Sequence, residues 1–151
     1  KLRSPMKWKI LAIGKPSLSY ARTGVDEYLK RMKRYAPVEL VHHWKESGKE
    51  KNSANLLEAS EGCFRIALDE RGKALTTAVF EQSVKDWQMD GVKRVAVLIG
   101  GADGHTKELR LKSDLVLGLS TLTMQHELAL LVFLEQIYRV HTMIKGEPYH
   151  R

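Results

Sequence analysis

The chain alternates between short apolar runs and longer segments in which apolar residues recur every three or four positions. The stretch "KWKILAIG", from Lys7 to Gly14, alternates and then turns wholly apolar, as a buried strand does. The next segment spaces its apolar residues three and four apart between basic residues, which indicates an amphipathic helix that Pro37 ends. The chain therefore opens with a strand followed by a helix.

The same alternation continues through the middle of the chain. "VELVHHW" predicts a second strand, "KESGKEKNS" predicts a polar loop, and Ala54–Ala59 predicts a short helix. "CFRIALDERGK" predicts a third strand that runs into a charged turn at Asp69–Lys73, where Gly72 supplies the backbone freedom of a tight bend. A helix capped by Thr76 or Thr77 should follow, with an inward stripe made of Val79, Phe80, Val84 and Trp87.

The C-terminal half repeats the strand and helix pattern. "KRVAVLIGG" predicts a strand, and the glycine-rich "GGADGH" leads to a helix around Thr106–Lys112. "DLVLGLS" predicts the last strand, and "LSTLTMQH" then begins a C-terminal helix that is apolar nearly all the way round. This order predicts one α/β domain over residues 6–151, with a largely parallel sheet flanked by helices in two or three layers. "KLRSP", before Met6, is interpreted as a leader or expression remnant.

Composition narrows the class of protein. With 43% hydrophobic and 28% charged residues, the 151-residue chain should fold around one core. Its 25 Lys and Arg outnumber 18 Asp and Glu, and the resulting charge of +7 favours a polyanionic partner such as nucleic acid. The single cysteine, Cys63, is expected to be a small buried residue of the third strand. No apolar run reaches the roughly 18 residues of a membrane span, so we predict no membrane-spanning segment.

Three strands end in loops of unusual composition: "LDERGK", "IGGADGH" and "LSTLTMQH". Ligands of parallel sheets bind beyond the carboxyl ends of the strands, so these loops are the candidate site. The glycines allow a ligand to approach the backbone closely, although a simple turn is an equal alternative. The glycine pattern matches neither the dinucleotide fingerprint nor the P-loop. The six histidines lack zinc-ligand spacing and G-x-S-x-G is absent, so we predict no metal and no acyl-transfer site.

The third loop combines hydroxyl groups with apolar side chains, which suits a nucleoside-containing ligand. Its members are Leu119, Ser120, Thr121, Leu122, Thr123 and Met124. Helix capping is the alternative role of the hydroxyl residues. The tail "IKGEPYHR" places an aromatic side chain beside basic groups, as stacking on a base and pairing with phosphate require.

On these residues the sequence resembles the RlmH-type pseudouridine N3-methyltransferases of large-subunit ribosomal RNA, in the SPOUT superfamily. The resemblance runs from "KWKILAIGK" to "YHR" and is most specific in "LDERGK", "VLIGGADG", "LSTLT", "LEQIYR" and "GEPYHR". It implies a C-terminal trefoil knot, a rare exception to unthreaded topology. It also implies a homodimer that acts on ribosomal RNA in the cytoplasm, or in an organelle if a leader has been removed.

The resemblance further implies that S-adenosylmethionine binds at Leu68, Gly100 and Leu119 to Met124. The partner's tail, with Tyr149, His150 and Arg151, would complete each active site. His150 would act as a base or as a hydrogen-bond partner, and Arg139 or Arg151 would stabilise the developing anion. An ion pair with Glu135, one helical turn earlier, is the alternative role of Arg139.

The chain departs from the family pattern at Gln125 and Leu130, where bacterial members usually carry proline and arginine. Two other functions stay open at this point. One is a knotted methyltransferase that acts on another RNA base. The other is a non-catalytic RNA-binding or ribosome-assembly protein that keeps the fold.

Overall fold

The computed structural model describes residues 5–151; residues 1–4 of the predicted remnant lie outside the described residues. Within this range five strands alternate with five helices, as the apolar pattern predicts. In chain order they are β1 (Lys7–Ala12), α1 (Ser19–Met32), β2 (Val38–Val41), α2 (Lys49–Ala59), β3 (Phe64–Ala74), α3 (Thr77–Met89), β4 (Arg94–Ile99), α4 (Lys107–Leu111), β5 (Leu115–Gly118) and α5 (His126–Ile144).

The five strands form one sheet in the order β2-β1-β4-β3-β5. Every neighbouring pair is parallel, which confirms the predicted α/β fold with a parallel sheet. A parallel connection needs a crossover of a dozen or more residues, and each crossover here contains a helix. All five carboxyl ends therefore lie at one edge of the sheet, with those of β4, β3 and β5 side by side.

Helices cover both faces of the sheet, so the domain has three layers. Residues of β4 alternate between two cores: Val95, Val97 and Ile99 pack on the side of α1, α3 and α5. Ala96 and Leu98 pack on the side of α2 and α4. Because both faces of β4 are buried, its sequence is an unbroken apolar run.

Helix α5 is apolar nearly all round because it is enclosed by α1, α3 and the sheet. Phe133 and Ile137 are fully buried against the sheet. Trp8 Nε1 donates a buried hydrogen bond of 3.0 Å to His141 Nε2. Burial lowers the pKa of His141 to about 4, which keeps the imidazole neutral and able to accept that bond.

Helix α2 begins at Lys49, so the prediction of a polar loop up to residue 53 is wrong. The apolar spacing did not reveal this part of the helix because two of its buried positions are polar. Asn52 Nδ2 donates to Glu46 Oε2 at 2.6 Å, and Ser53 Oγ accepts from the amide of Thr106 at 3.0 Å. These partners satisfy polar groups that periodicity places at the surface.

Strand β3 continues to Ala74, so the predicted tight turn at Asp69–Lys73 is wrong. The segment is a bulge, because Leu68 and Lys73 both pair with Leu117 of β5. Gly72 is needed here for space rather than for a left-handed bend. A Cβ atom on it would lie 2.7 Å from the backbone of the neighbouring strand β5.

Thr76 caps α3 as predicted, since its side chain accepts from the amide of Val79 at 3.1 Å. Phe80 and Val84 are buried, whereas Val79 is 48% exposed and does not belong to the inward stripe. One helical residue corresponds to about 100°, so Val79 points away from Phe80. Cys63 is half-buried and precedes β3, which corrects its placement inside the strand.

Glu127 joins the start of α5 to the start of α1. Its carboxylate accepts from the amide and hydroxyl of Ser17 at 2.8 and 3.0 Å and from the amide of Leu18 at 3.0 Å. It thus caps α1, whose own N-cap residue, Leu18, has no side-chain acceptor. Burial opposes its charge, but these hydrogen bonds prevail and lower the pKa of Glu127 below its ordinary value of 4.5.

Glu127→Gln should reduce the free energy of unfolding by about 1–3 kcal/mol at pH 7, because the charged acceptor is lost. The carboxyl pKa is lower in the folded than in the unfolded chain. Its contribution is therefore complete above pH 4.5 and disappears as the pH falls through the folded value. Urea unfolding at fixed protein concentration should show the difference at pH 7 and a smaller one at pH 3. An equal difference at both pH values would contradict this role.

Candidate functional site

A cavity of about 220 Å³ opens at the carboxyl edge of the sheet, where β3, β4 and β5 end side by side. One ordered water needs roughly 10–15 Å³, so the cavity has room for a small molecule. Its walls are the β3 bulge, the end of β4 with the segment Gly100–Gly104 that follows it, and the loop between β5 and α5. These are the three loops that the sequence singles out.

Seven of the eight predicted cofactor residues line this cavity: Leu68, Gly100, Leu119, Ser120, Leu122, Thr123 and Met124. Thr121 is exposed and is not among the lining residues. The prediction included Thr121 because its neighbours in sequence are included, but consecutive residues of an extended loop point in different directions. The loop also exposes 75% of Leu122, an apolar surface available to a ligand.

The glycine segment after β4 folds tightly over His105. Gly104 adopts a φ of +74°, and the segment is closed by a bridge between Gly101 and Gly104. A Cβ atom on Gly100 would lie 3.1 Å from the carbonyl oxygen of Gly104 and 3.2 Å from Cε1 of His105. Both neighbours are held in place, so only glycine fits at position 100 without a shift of the loop.

His105 forms the floor below this segment and was not singled out from the sequence. It is 2% exposed, and its Nε2 lies 3.0 Å from the carbonyl oxygen of Leu98. Because a carbonyl only accepts, the proton is on Nε2. Burial lowers the pKa of His105, so the imidazole is neutral. A histidine directly after a glycine-rich turn is the only sequence signal for this role.

Glu46 holds the glycine segment from the opposite side. Its carboxylate lies 3.3 Å from the amide of Ala102 and also accepts from the amide of Gly48 and the side chain of Asn52. Hydrogen bonds from Asn52 and the two amides lower the pKa of Glu46, which keeps it charged. The polar segment before α2 therefore positions a wall of the cavity.

The β3 bulge brings two carboxylates to the cavity. The Asp69 side chain is only 4% exposed and lies 3.6 Å from Arg71 and 3.7 Å from Arg110. Glu70 Oε2 accepts a 2.6 Å hydrogen bond from the hydroxyl of Thr123. This bond connects two of the three loops across the cavity.

The two departures from the family pattern have structural roles. Gln125 is the N-cap of α5, and its side-chain oxygen accepts from the amides of Glu127 and Leu128 at 2.9 and 3.1 Å. Leu130 is 2% exposed and packs in the core between α5 and the sheet. Neither Gln125 nor Leu130 is among the residues that line the cavity.

The C-terminal tail forms a second cluster, on α1 and α5. Tyr149 donates to Glu135 Oε2 at 2.8 Å, and its hydroxyl lies 3.1 Å from that of Tyr28. Arg139 Nη2 binds the same Glu135 oxygen at 2.7 Å, so the alternative ion pair does form. Burial, together with these hydrogen bonds, raises the pKa of Tyr149, which therefore remains a phenol at neutral pH.

Arg139 also fixes the tautomer of His150. Its Nη1 lies 3.1 Å from Nδ1 of His150. A guanidinium only donates, so Nδ1 offers its lone pair and the proton of the neutral imidazole is on Nε2. Arg151 is exposed at the end of the chain.

The tail cluster and the cavity of its own chain lie at different positions along α5. His126 lines the cavity at the start of α5, and Arg139 follows thirteen residues later. At 1.5 Å per helical residue, the backbones of His126 and Arg139 are about 20 Å apart along the axis. Ala129 also lines the cavity and Tyr149 contacts Glu135, so the nearest parts of the two groups are about 9 Å apart along α5. The structure thus gathers most of the predicted cofactor residues at the start of α5, and gathers Arg139, Tyr149 and His150 farther along the same helix.

Two further findings concern residues 5–151. Within this part of the chain no three His, Cys, Asp or Glu side chains are grouped as ligands of a metal ion. No helix there is both long and apolar enough to cross a membrane.

Fold and site together define an α/β protein with a small-molecule cleft built from three strand-end loops. The family model described as "Predicted SPOUT methyltransferase" matches residues 6–150. The chain belongs to this family of methyltransferases. Membership implies the knotted C-terminal fold of the family, which strand order alone does not display.

Similar proteins cover almost the whole chain. A Thermus thermophilus protein named ribosomal RNA large subunit methyltransferase H is 49% identical over 146 residues, which are 97% of this chain and 99% of the relative. Proteins of the same name from Deinococcus radiodurans and Geobacter metallireducens are 39% and 37% identical, over 97% and 96% of this chain and 99% of each relative.

The tail cluster yields a test that needs no ligand. Glu135→Gln removes the charged acceptor shared by Arg139 and Tyr149 and should release the tail from α5. Hydrogen exchange of the C-terminal peptide should become faster, with little change in the sheet. The matched control is Glu81→Gln, which breaks an ion pair with Lys85 on α3. Unchanged exchange in Glu135→Gln, or the same acceleration in the control, would contradict the role of Glu135.

Proposed function

We propose that the chain is an S-adenosylmethionine-dependent enzyme that methylates N3 of a pseudouridine in large-subunit ribosomal RNA, as a cytoplasmic homodimer. The observation that carries the proposal is the convergence of seven predicted cofactor residues on one cavity. The names of the relatives support a ribosomal RNA substrate. The net charge of +7 suits a polyanionic substrate.

The chemistry of the cavity fits the cofactor. Leu68, Leu119 and Met124 offer apolar surface to an adenine ring, and the glycine segment allows close approach to the backbone. Glu70 brings a carboxylate to the cavity that would attract a sulfonium cation, whereas the charge of Asp69 is balanced by Arg71 and Arg110. When bound, the cofactor supplies an already reactive methyl group, so the task of the protein is chiefly to position it.

In this proposal a second copy of the chain completes the site, because each tail is held at Glu135 and Arg139, beyond the residues of α5 that line its own cavity. The outward face of α5 carries the half-buried Leu128 and Val132, one turn apart, before it reaches Glu135. Beside the start of α5, Leu18 and Tyr20 are 40% and 48% exposed. This apolar surface is the proposed dimer contact. It would bring the tail of one chain to the cavity of its partner.

In the composite site the tail supplies hydrogen-bond donors. Loss of the N3 proton leaves negative charge on the two carbonyl oxygens that flank N3. We assign the stabilisation of that charge to Arg139, Arg151 and the Nε2–H of His150; the 3.1 Å contact between Arg139 and His150 supports a joint role for these two. His150 therefore acts as a donor rather than as a base, because its Nδ1 lone pair is engaged by Arg139. The proton is released to solvent.

The reaction is tested by incubating large ribosomal subunits with the protein and methyl-labelled S-adenosylmethionine. Mass spectrometry of the digested RNA should place the label on a pseudouridine and leave uridine unlabelled. Label on another base, or on transfer RNA only, would favour a knotted methyltransferase of different specificity. Binding of RNA without binding of cofactor in calorimetry would favour a non-catalytic RNA-binding protein.

Gly100→Val tests the cavity. A branched side chain would collide with the carbonyl of Gly104 and with His105, and should displace the loop and weaken cofactor binding at least tenfold. Calorimetry measures the affinity, and sedimentation should show an unchanged oligomer. Ala78→Val is a control that introduces the same branched side chain at an exposed position of α3, outside the cavity. Unchanged cofactor affinity in Gly100→Val would mean that this loop does not bind the cofactor.

Complementation tests whether the tail acts on the partner. When present in both chains, the deletion of residues 149–151 should abolish methylation, and Gly100→Val should nearly abolish it at a cofactor concentration well below the dissociation constant of that variant. In a mixture, each heterodimer has one intact cavity facing one intact tail, so roughly a quarter of the sites should recover. The mixture is refolded together to exchange subunits. No recovery, although heterodimers are detected, would show that the tail serves its own chain.

A further inference from the structure

A wide groove of about 960 Å³ lies at the amino edge of the sheet, opposite the cofactor cavity. Lys7 and Val38, which begin β1 and β2, form one side of it, and the second half of α1 forms the other. We call it the basic groove after its cationic residues Lys7, Lys30, Lys33 and Arg34. None of the sequence patterns that indicated the active site involves this groove.

The groove has a small excess of positive charge, because its four cationic side chains face the carboxylates of Glu39, Glu147 and Asp26. Lys7 is paired with Glu39 at 3.1 Å, and Arg34 is paired with Glu147 at 3.1 Å. Lys30 and Lys33 are exposed and belong to none of the ion pairs formed within residues 5–151. The groove contains one other carboxylate, Asp26.

The spacing of Lys30 and Lys33 suits an extended chain of anions. Residues three apart on a helix are surface neighbours, with Cβ atoms about 5–6 Å apart. Two carboxylates lie one turn before Lys30: Glu27 is engaged by Arg31 at 2.7 Å, and Asp26 faces the groove. Asp26 therefore offsets part of the charge of Lys30, whereas the Lys33 ammonium group is available to an external anion.

The basic groove is connected to the catalytic tail through Glu147. This residue accepts hydrogen bonds from both Arg34 and Tyr35, and it lies two positions before Tyr149. The guanidinium of Arg34 also stacks on the ring of Tyr35, 5.1 Å from its centroid. A strand whose base reaches Tyr149 would therefore pass close to the groove.

We propose that the basic groove binds the phosphate backbone of the RNA that flanks the target base, with Lys30 and Lys33 as its principal contacts. This inference rests on the proposed function. It assigns the RNA to the same end of the molecule as the tail, so one chain would hold the RNA while its partner holds the cofactor. Phosphate contacts of this kind position a substrate without reading its sequence.

The test is the double variant Lys30→Glu/Lys33→Glu in the full-length protein. It should bind an RNA fragment containing the target roughly tenfold or more weakly, and the salt dependence of log K should become shallower by about 1.4. Cofactor affinity and dimerisation should be unchanged. The control is Lys51→Glu/Lys107→Glu, with the same change in charge on α2 and α4 across the sheet. It should bind RNA nearly as well as the wild type.

Several outcomes would overturn the proposal. Wild-type affinity in Lys30→Glu/Lys33→Glu, or an equal loss in the control, would show that the groove has no specific part in RNA binding. Binding of phosphatidylglycerol vesicles that this variant alone loses, with RNA binding intact, would assign the groove to a lipid surface. Failure of the proposed function is distinguishable, because the wild type itself would then neither bind nor methylate the RNA.

Discussion

The parallel alignment of β4, β3 and β5 is the constraint on which the rest of the site depends. Because the three strands are neighbours and point the same way, their following loops meet although they are far apart in sequence. The β3 bulge then brings Glu70 to Thr123, and Glu46 and His105 hold the glycine segment from its two sides. Most side chains that line the cavity determine its shape, and few of them are needed for the methyl transfer itself.

The length and burial of α5 are the basis for the proposal that a second chain completes each site. The helix is enclosed by α1, α3 and the sheet, so it has little freedom to bend its ends toward each other. Its first turn contributes His126 to the cavity, whereas Arg139, about 20 Å farther along the axis, supports the tail. The proposed dimer would bring the tail of one chain to the cavity of the other, with the tail and the basic groove on the side proposed to face the RNA.

The apolar pattern predicted the order of strands and helices and the parallel sheet, because buried strands and amphipathic helices have distinct periods. It failed where polar groups are buried with partners. The start of α2 was missed because the buried residues Asn52 and Ser53 are polar. The β3 bulge was missed because its charged sequence is also typical of a turn. The prediction that Val79 belongs to the inward stripe of α3 was wrong, because Val79 lies about 100° around the helix from the buried Phe80.

The site was predictable to the extent that its residues are close in sequence to strand ends. Gly100 and Thr123 could be singled out for this reason, and the tail residues by their composition. His105 and Glu46 could not, since their roles depend on contacts with backbone atoms that only the folded chain brings near. Nor does the sequence by itself reveal the shared Glu135 oxygen, which binds Arg139 and Tyr149 from two different segments.

The central claim is that the three loops of one chain hold S-adenosylmethionine beneath the tail of a second chain. A crystal structure of the protein with this cofactor tests it most directly. We expect the adenosyl group to contact Leu68, Gly100 and Thr123 of one chain, with His150 of the other chain over the methyl group. A cofactor bound elsewhere, or a monomer whose own tail closes the cavity, would contradict it.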